Sequence, residues 1–147
     1  VVLGFFVVFF VLFLSYSLFS SSLKSTVRKL SGILEELRAI AVRENKEYQL
    51  HIDVDSETYW ITTFGMSEEE AAKVNRVRLP QGVEFVDVQT RDDKVAVAGV
   101  SIRFSPQAYA DEAIIHIKDD SDKVFTLSVG TFLPMVKVDE EYIEFKS

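Results

Sequence analysis

Apolar residues fill the start of the chain, and charged residues appear only from Lys24 onward. Residues 1–23 carry no charge, and nearly all of residues 1–19 are apolar. A helix of this length, at about 1.5 Å per residue, spans about 28 Å, close to the ~30 Å hydrocarbon core of a bilayer. We therefore predict a transmembrane half-helix over residues 1–23. Its large apolar side chains, the candidate membrane residues, are Phe5, Phe6, Phe9, Phe10, Phe13 and Leu14.

A second apolar pattern follows, with spacings of 4, 3, 4, 3 and 4 that place its members on one face of a helix. These stripe residues are Leu23, Val27, Leu30, Leu34, Leu37 and Ala41. Charged residues, Arg38 among them, fall mostly off the stripe. With no Pro in residues 1–46, one helix is predicted over residues 2–45, ending near Asn45. The stripe is expected to pack on the chain's own sheet, and a parallel coiled coil is the alternative.

From Glu47 the apolar period changes from 3.6 to 2, which predicts a half-buried strand and then a return strand over residues 58–63. Ser67 and Glu70 form a capping-box pattern that predicts a short helix or turn over residues 67–75. Further strands are predicted at 83–90, 95–98, 101–104, 113–118, 124–129, 135–138 and 142–145.

These elements predict an α+β protein. Its long N-terminal helix, transmembrane in its first half, packs on a C-terminal antiparallel β-sheet or sandwich of about eight strands. The predicted division is a transmembrane half-helix (1–23), an amphipathic half-helix (24–46) and a β-rich globular domain (47–147).

Charge and cysteine content limit the partners. Residues 1–46 carry six Lys and Arg against three Asp and Glu, whereas residues 47–147 carry ten against twenty, a net charge of −10. An acidic globular part argues against nucleic acid as the main partner. The chain has no Cys, so thiol chemistry is excluded.

Candidate chemical sites are sparse. His51 and His116 occupy polar positions of alternating strands and are expected at the surface. The run Asp53-x-Asp55-x-Glu57 lacks the Gly and Glu that a calcium loop requires at its sixth and twelfth positions. The acidic turn could hold a cation loosely, although a solvated hairpin turn is favoured; its residues are Asp119, Asp120 and Asp122. We expect no enzyme activity, no cofactor and no small-molecule substrate, and we expect Tyr59 and Trp60 to be core and rim residues.

Several segments resemble the GspH/FimT group of type IV pilin-like proteins, which comprises minor pseudopilins of type II secretion and related minor pilins. The helix-to-strand junction carries the first part of the resemblance, in Leu30, Leu34, residues 37–45, residues 48–53 and Tyr59. Residues 102–106, 114–117, 125–130 and 136–138 resemble the closing region of that group. The resemblance covers nearly the whole chain.

Two positions depart from the pattern of the group. Prepilins are cut after a Gly that precedes Phe, and a Glu follows four residues later. Gly4-Phe5 would put Phe9 at the Glu position, so we expect Val1 to follow a missing Phe-x-x-x-Glu, and the apolar run to be retained in the mature protein. The Gly that usually follows Phe-x-Pro is replaced by Gln107-Ala108, which predicts a different loop shape.

The resemblance implies a structural role without catalysis. A pseudopilin waits in the bacterial inner membrane, with its globular domain in the periplasm. It then joins a filament near the tip by packing its apolar half-helix against those of other pseudopilins, and it helps export folded proteins; methylation belongs to the same expectation. The alternatives are a minor type IV pilin in DNA uptake or adhesion, and a single-pass envelope adaptor unrelated to filaments. Lys24, Arg28 and Lys29 after the apolar run give the adaptor some support through the positive-inside rule.

Overall fold

The computed structural model describes residues 2–91 and 99–145, and their side chains from residue 22 onward. Within these residues the chain forms one long helix, one short helix and eight strands. In chain order they are α1 (Val2–Glu44), β1 (Tyr48–Asp53), β2 (Thr58–Thr63), α2 (Glu68–Ala72), β3 (Val77–Arg78), β4 (Val83–Thr90), β5 (Val100–Phe104), β6 (Ala113–Asp119), β7 (Val124–Val129) and β8 (Lys137–Asp139).

The long helix α1 ends in a Schellman motif. Asn45 adopts a left-handed conformation with φ of 54°. The amide of Lys46 bonds the carbonyl of Ala41 at 3.0 Å, and the amide of Asn45 bonds that of Val42 at 3.3 Å. These two bonds satisfy carbonyls that the helix end would leave unpaired. Asparagine tolerates the left-handed region, so the predicted end of the helix has a clear physical cause.

The first sheet has the strand order β3-β2-β1-β5, and every neighbouring pair is antiparallel. Its central hairpin turns at Asp53, whose carboxylate accepts hydrogen bonds from the amides of Asp55 (3.1 Å) and Ser56 (3.3 Å). The two-residue strand β3 was not predicted. Its pairing with β2 makes it the edge strand of this sheet, which its own sequence does not indicate.

The second sheet has the order β4-β6-β7-β8 and is also antiparallel. Helix α1 contacts β1 and β5 of the first sheet and β6 and β7 of the second. Buried side chains of the helix and of both sheets form one continuous hydrophobic core. The predicted α+β class, with its N-terminal helix packed on about eight antiparallel strands, is confirmed.

Local predictions had different outcomes. The short helix after Ser67 is present, and the Ser67 side chain caps it by accepting a hydrogen bond from the amide of Glu70 at 3.1 Å. The strand predicted at 142–145 is wrong, because those residues lie outside any strand. The strand predicted at 135–138 is displaced to Lys137–Asp139. The strand predicted at 95–98 lies outside the described residues.

Candidate functional site

The apolar stripe is the buried face of α1. Its six residues are between 0% and 4% exposed: Leu23, Val27, Leu30, Leu34, Leu37 and Ala41. Residues three and four apart on a helix point in nearly the same direction, so the whole stripe can face the two sheets at once. The chain's own sheets therefore occupy the face that a coiled coil would present to another chain.

Arg38 lies off the apolar stripe in the sequence, yet it is only 8% exposed. Its guanidinium donates hydrogen bonds to the carbonyl oxygens of Gly130 (2.5 Å), Thr131 (3.0 Å) and Ala108 (3.4 Å). Burial lowers the pKa of the Arg38 guanidinium from its ordinary value. Three carbonyl dipoles surround the buried charge, and they tie the loops after β5 and β7 to the middle of α1.

The segment that follows β7 exposes most of its apolar side chains. Phe132, Leu133 and Met135 are 78%, 68% and 74% exposed, and residues 132–135 are termed the apolar loop. Single exposed apolar residues are normal on a protein surface, but three within four consecutive positions form a patch that fits a partner.

Helix α1 holds both ends of the apolar loop. Arg38 binds the two carbonyls just before it, and Glu35 Oε1 accepts a hydrogen bond from the amide of Val136 (3.1 Å) just after it. The carbon atoms of the Leu133 side chain lie so close to Gly130 that a Cβ at Gly130 would stand 3.3 Å from them. The loop is thus fixed to the helix although its side chains face solvent.

A second apolar feature lies between α1 and the first sheet. It is a groove of about 380 Å³, termed the helix groove and lined by Lys29, Gly32, Ile33, Glu36, Leu37, Ile40, Tyr48 and Ile61. A Cβ placed on Gly32 would meet nothing within 4 Å. The missing side chain of Gly32 therefore helps to keep the groove open.

His116 was predicted at the surface, and this prediction is wrong: the residue is 0% exposed. Its Nδ1 lies 2.5 Å from Asp87 Oδ1, and its Nε2 lies 2.7 Å from the carbonyl oxygen of Ile143. Because a carbonyl oxygen can only accept, Nε2 carries a proton. Tyr142 stacks on the imidazole with ring centroids 3.8 Å apart.

Residues 141–143, termed the C-terminal strap, cover this histidine. Thr126 Oγ1 donates to the carbonyl oxygen of Glu141 at 2.5 Å and accepts from the amide of Ile143 at 3.0 Å. The Tyr142 hydroxyl donates to Asp87 Oδ2 at 2.9 Å. Burial, followed by the hydrogen bond to Asp87, raises the pKa of Tyr142 to about 12. These contacts bury the imidazole of His116 beneath the strap and tie the strap to β4, β6 and β7.

His51 is half-buried on the open face of the first sheet, in contact with its cross-strand neighbours. Its Nδ1 lies 2.7 Å from the Ser101 hydroxyl and its Nε2 lies 2.7 Å from the Thr62 hydroxyl. Burial, and then the charge of Arg76, lowers the pKa of His51. A Ser–His pair suggests a nucleophile and base, but the second nitrogen faces a hydroxyl where a triad has a carboxylate. Trp60 stacks on the ring at 5.2 Å.

The acidic turn between β6 and β7 is organised by its own hydrogen bonds. Asp119 Oδ1 accepts from the amide (2.9 Å) and the hydroxyl (2.6 Å) of Ser121, and Asp122 has a left-handed φ of 60°. Among the described residues, no group of three or more His, Cys, Asp or Glu side chains could hold a metal ion.

The candidate membrane residues, Phe5, Phe6, Phe9, Phe10, Phe13 and Leu14, have side chains outside the described ones. The backbone there belongs to α1, which runs without a break from Val2 to Glu44. Among the residues that the structure describes, no helix is both long and apolar enough to cross a membrane.

A long N-terminal helix packed across two antiparallel sheets is a fold that this chain shares with minor pseudopilins of known structure. Two solved structures share it, both of EpsH, a minor pseudopilin from the type 2 secretion system of Vibrio cholerae. The first has a TM-score of 0.62 at 10% sequence identity and covers 80% of this chain and 94% of its own. The second has a TM-score of 0.61 at 11% identity, covering 80% and 95%. No protein-family model and no curated protein matches the sequence.

Proposed function

We propose that this chain is a structural subunit of a pilin-like filament, in the manner of a type II secretion minor pseudopilin. One observation carries the proposal. A single helix of 43 residues packs its stripe, from Leu23 to Ala41, into the core of the globular part, and the same helix includes an N-terminal stretch without charge. The pseudopilin fold supports this assignment.

In the proposed mechanism residues 1–23 have two successive environments. They first anchor the chain in the inner membrane by a single pass, with residues 47–147 in the periplasm. They then leave the lipid when they pack against the corresponding half-helices of neighbouring subunits. Aliphatic and Phe side chains suit both environments, because lipid tails and a helix bundle are similarly apolar. The amphipathic half, residues 24–46, stays packed on the globular domain in both environments.

The proposed place of the subunit is near the tip of a periplasmic filament that moves folded proteins outward. Its partners are other pseudopilins, reached through the N-terminal helix, and inner-membrane lipid. A role in DNA uptake is less favourable, because the residues at the end of β8 and in the strap include Asp139, Glu140 and Glu141, whose carboxylates repel phosphate.

The test replaces Phe9 by Asp in the full chain, in a cell that depends on it for secretion or piliation. A carboxylate at the centre of a transmembrane helix costs about 2.5–3.5 kcal/mol, so function should be lost at normal protein level. The matched control is Phe64→Asp, the same change at a residue that is 80% exposed on the globular domain. Normal secretion by Phe9→Asp at normal protein level would leave residues 1–23 a passive tether and refute the filament role.

A further inference from the structure

The first charged residues after the uncharged stretch of α1 are all basic. Lys24, Arg28 and Lys29 are the only charged residues among residues 1–34, and the first carboxylate along the chain belongs to Glu35. All three basic residues are exposed. Within the part of the chain that the structure describes, none of them forms an ion pair with a carboxylate. Their positive charge is therefore available to an anionic partner.

These three residues, termed the basic face, lie on the side of α1 that the globular domain leaves open. Successive residues of an α-helix turn by about 100°, so the three fall within an arc of about 140°. The centre of this arc lies nearly opposite the buried stripe residues Leu23 and Val27. A partner can therefore approach the basic face without displacing the sheets from the helix.

The basic face also lies where the proposed membrane segment ends. Residues 1–23 carry no charge, and Lys24 follows directly. The helix rises about 7.5 Å from Lys24 to Lys29. The polar headgroup layer on one side of a bilayer is about 5–7 Å thick. When residues 1–23 cross the hydrocarbon core, the three cations therefore stand at the height of the headgroup phosphates.

The domain side of α1 carries negative charge at nearly the same height. Ser22 and Leu23 line a cavity of about 560 Å³ together with Asp119 and Asp120 of the acidic turn. Because Leu23 is buried against the domain, the acidic turn lies on the domain side of the helix. Its carboxylates repel phosphate, whereas the basic face attracts phosphate. An anionic surface therefore distinguishes the two sides of this helix.

We propose that the basic face binds the phosphate groups of anionic phospholipids while the subunit waits in the membrane. The contact orients the globular domain, since the basic face turns toward the headgroups and the acidic turn is held away from them. Attraction between exposed charges is screened by salt, so the contact does not prevent the subunit from leaving the lipid. The inference rests on the proposed membrane anchor and names the lipid class that surrounds it.

The test uses the full-length chain in vesicles made of equal parts of phosphatidylglycerol and phosphatidylcholine. Because the chain has no native Cys, Gly32→Cys places a single fluorescent dye one turn beyond Arg28, where a Cβ meets nothing within 4 Å. A trace of either lipid carries an acceptor dye on its acyl chain. Energy transfer to labelled phosphatidylglycerol should exceed transfer to labelled phosphatidylcholine several-fold. The same dye at Gln81→Cys, an exposed residue of the acidic cavity, should show no such preference.

Two triple variants separate the basic face from the overall charge. Changing all three residues of the basic face to Gln should abolish the preference seen from position 32, and Gln keeps the helix propensity of Lys and Arg. The control changes Arg43, Lys46 and Lys73, which are exposed cations outside the basic face, to Gln and should leave the preference unchanged. Raising the salt from about 0.1 M to about 1 M should also remove it, since the Debye length falls from about 10 Å to about 3 Å.

Equal energy transfer to the two lipids from position 32, or a preference that survives the loss of the basic face, would overturn the contact. A chain that does not stay with the vesicles would overturn it as well. If the preference is absent while Phe9→Asp still abolishes secretion, the filament role stands and only this lipid contact is wrong. If the preference is present while Phe9→Asp is fully functional, the chain binds anionic lipid but the proposed function fails.

Discussion

At the scale of single residues, Ala108 stands out because it adopts a conformation that glycine favours. Its φ is +69°, in the left-handed region that costs a residue with a Cβ about 1–2 kcal/mol. The resemblance to minor pseudopilins led us to expect a Gly after Phe-x-Pro, where Gln107-Ala108 stands. Ala108 therefore carries a steric cost that a glycine would not.

We predict that Ala108→Gly stabilises the protein by about 0.5–1 kcal/mol, because relief of the steric cost exceeds the added flexibility of the unfolded chain. Gln107→Gly in the same turn is the control and should destabilise, since Gln107 does not need a positive φ. Urea unfolding followed by Trp60 fluorescence measures both. A destabilised Ala108→Gly would show that this turn is not strained.

Arg38 is the residue on which the link between helix and loops depends. We predict that Arg38→Met, which keeps the apolar stem, lowers the free energy of unfolding by about 2–3 kcal/mol, because carbonyl oxygens lose a charged donor. Arg38→Lys should fall between, since one ammonium group cannot reproduce the planar set of donors. Arg28→Met, an exposed change on the same helix, should stay within about 0.5 kcal/mol. Equal stability of Arg28→Met and Arg38→Met would contradict this role.

At the scale of elements, the C-terminal strap provides a pH-dependent test. The pKa of Tyr142 is raised to about 12 from an ordinary value of 10.0. A raised folded-state pKa contributes stability that is present below the unfolded pKa and is lost as the pH rises through the folded one. The contribution of the hydroxyl should therefore be complete below about pH 10 and decline toward pH 12.

Tyr142→Phe isolates this contribution. The wild-type chain should be more stable than the variant at pH 8, and the difference should shrink between about pH 10 and pH 12. The free energy of unfolding of both chains is measured at several pH values. The difference between the two chains removes the contributions of the other Tyr and Lys side chains, which both chains share. A difference that stays constant over that interval would mean that the hydroxyl does not titrate in the way its contacts require.

Helix α1 permits a second test at this scale. The stripe begins at Leu23, which is 4% exposed, so a fragment of residues 22–147 retains the whole stripe. We predict that it is soluble, with a mixed α/β circular-dichroism spectrum and cooperative unfolding. A fragment starting at Ser25 loses Leu23 and should be less stable by about 2–3 kcal/mol. An unfolded 22–147 fragment would show that the globular part needs residues 1–21.

At the scale of the whole molecule, the sequence predicted the architecture better than the environment of its polar residues. The stripe and the hairpins were predicted from the local period of apolar positions, and the folded helix and strands bury residues with that same period. His116 was misjudged because alternation in β6 suggested one open face, whereas five consecutive residues, from Ala113 to Ile117, are buried. The apolar residues on both sides of His116 were the available signal, because strands covered on both faces read as apolar runs.

The strap and the anchoring of the apolar loop depend on contacts between distant parts of the chain. Residues 142–145 alternate like a strand, yet side-chain bonds from Thr126 and His116 hold the segment. Arg38 finds its acceptors between 70 and 93 residues away. No local pattern contains that information. Of the apolar loop, only Met135 fell within a predicted strand, and the anchoring of the loop to α1 became apparent from the fold.

The most direct test of the filament role asks what lies beside residue 9 in the cell. Phe9 is replaced by p-benzoyl-phenylalanine, a photo-crosslinker of similar shape, in the full chain within a cell that assembles the filament. The account predicts cross-links from this position to the N-terminal helices of other pilin-like subunits, and none from the same probe at exposed Phe64 to those helices. Cross-links from position 9 to lipid alone, under conditions in which filaments form, would contradict the account.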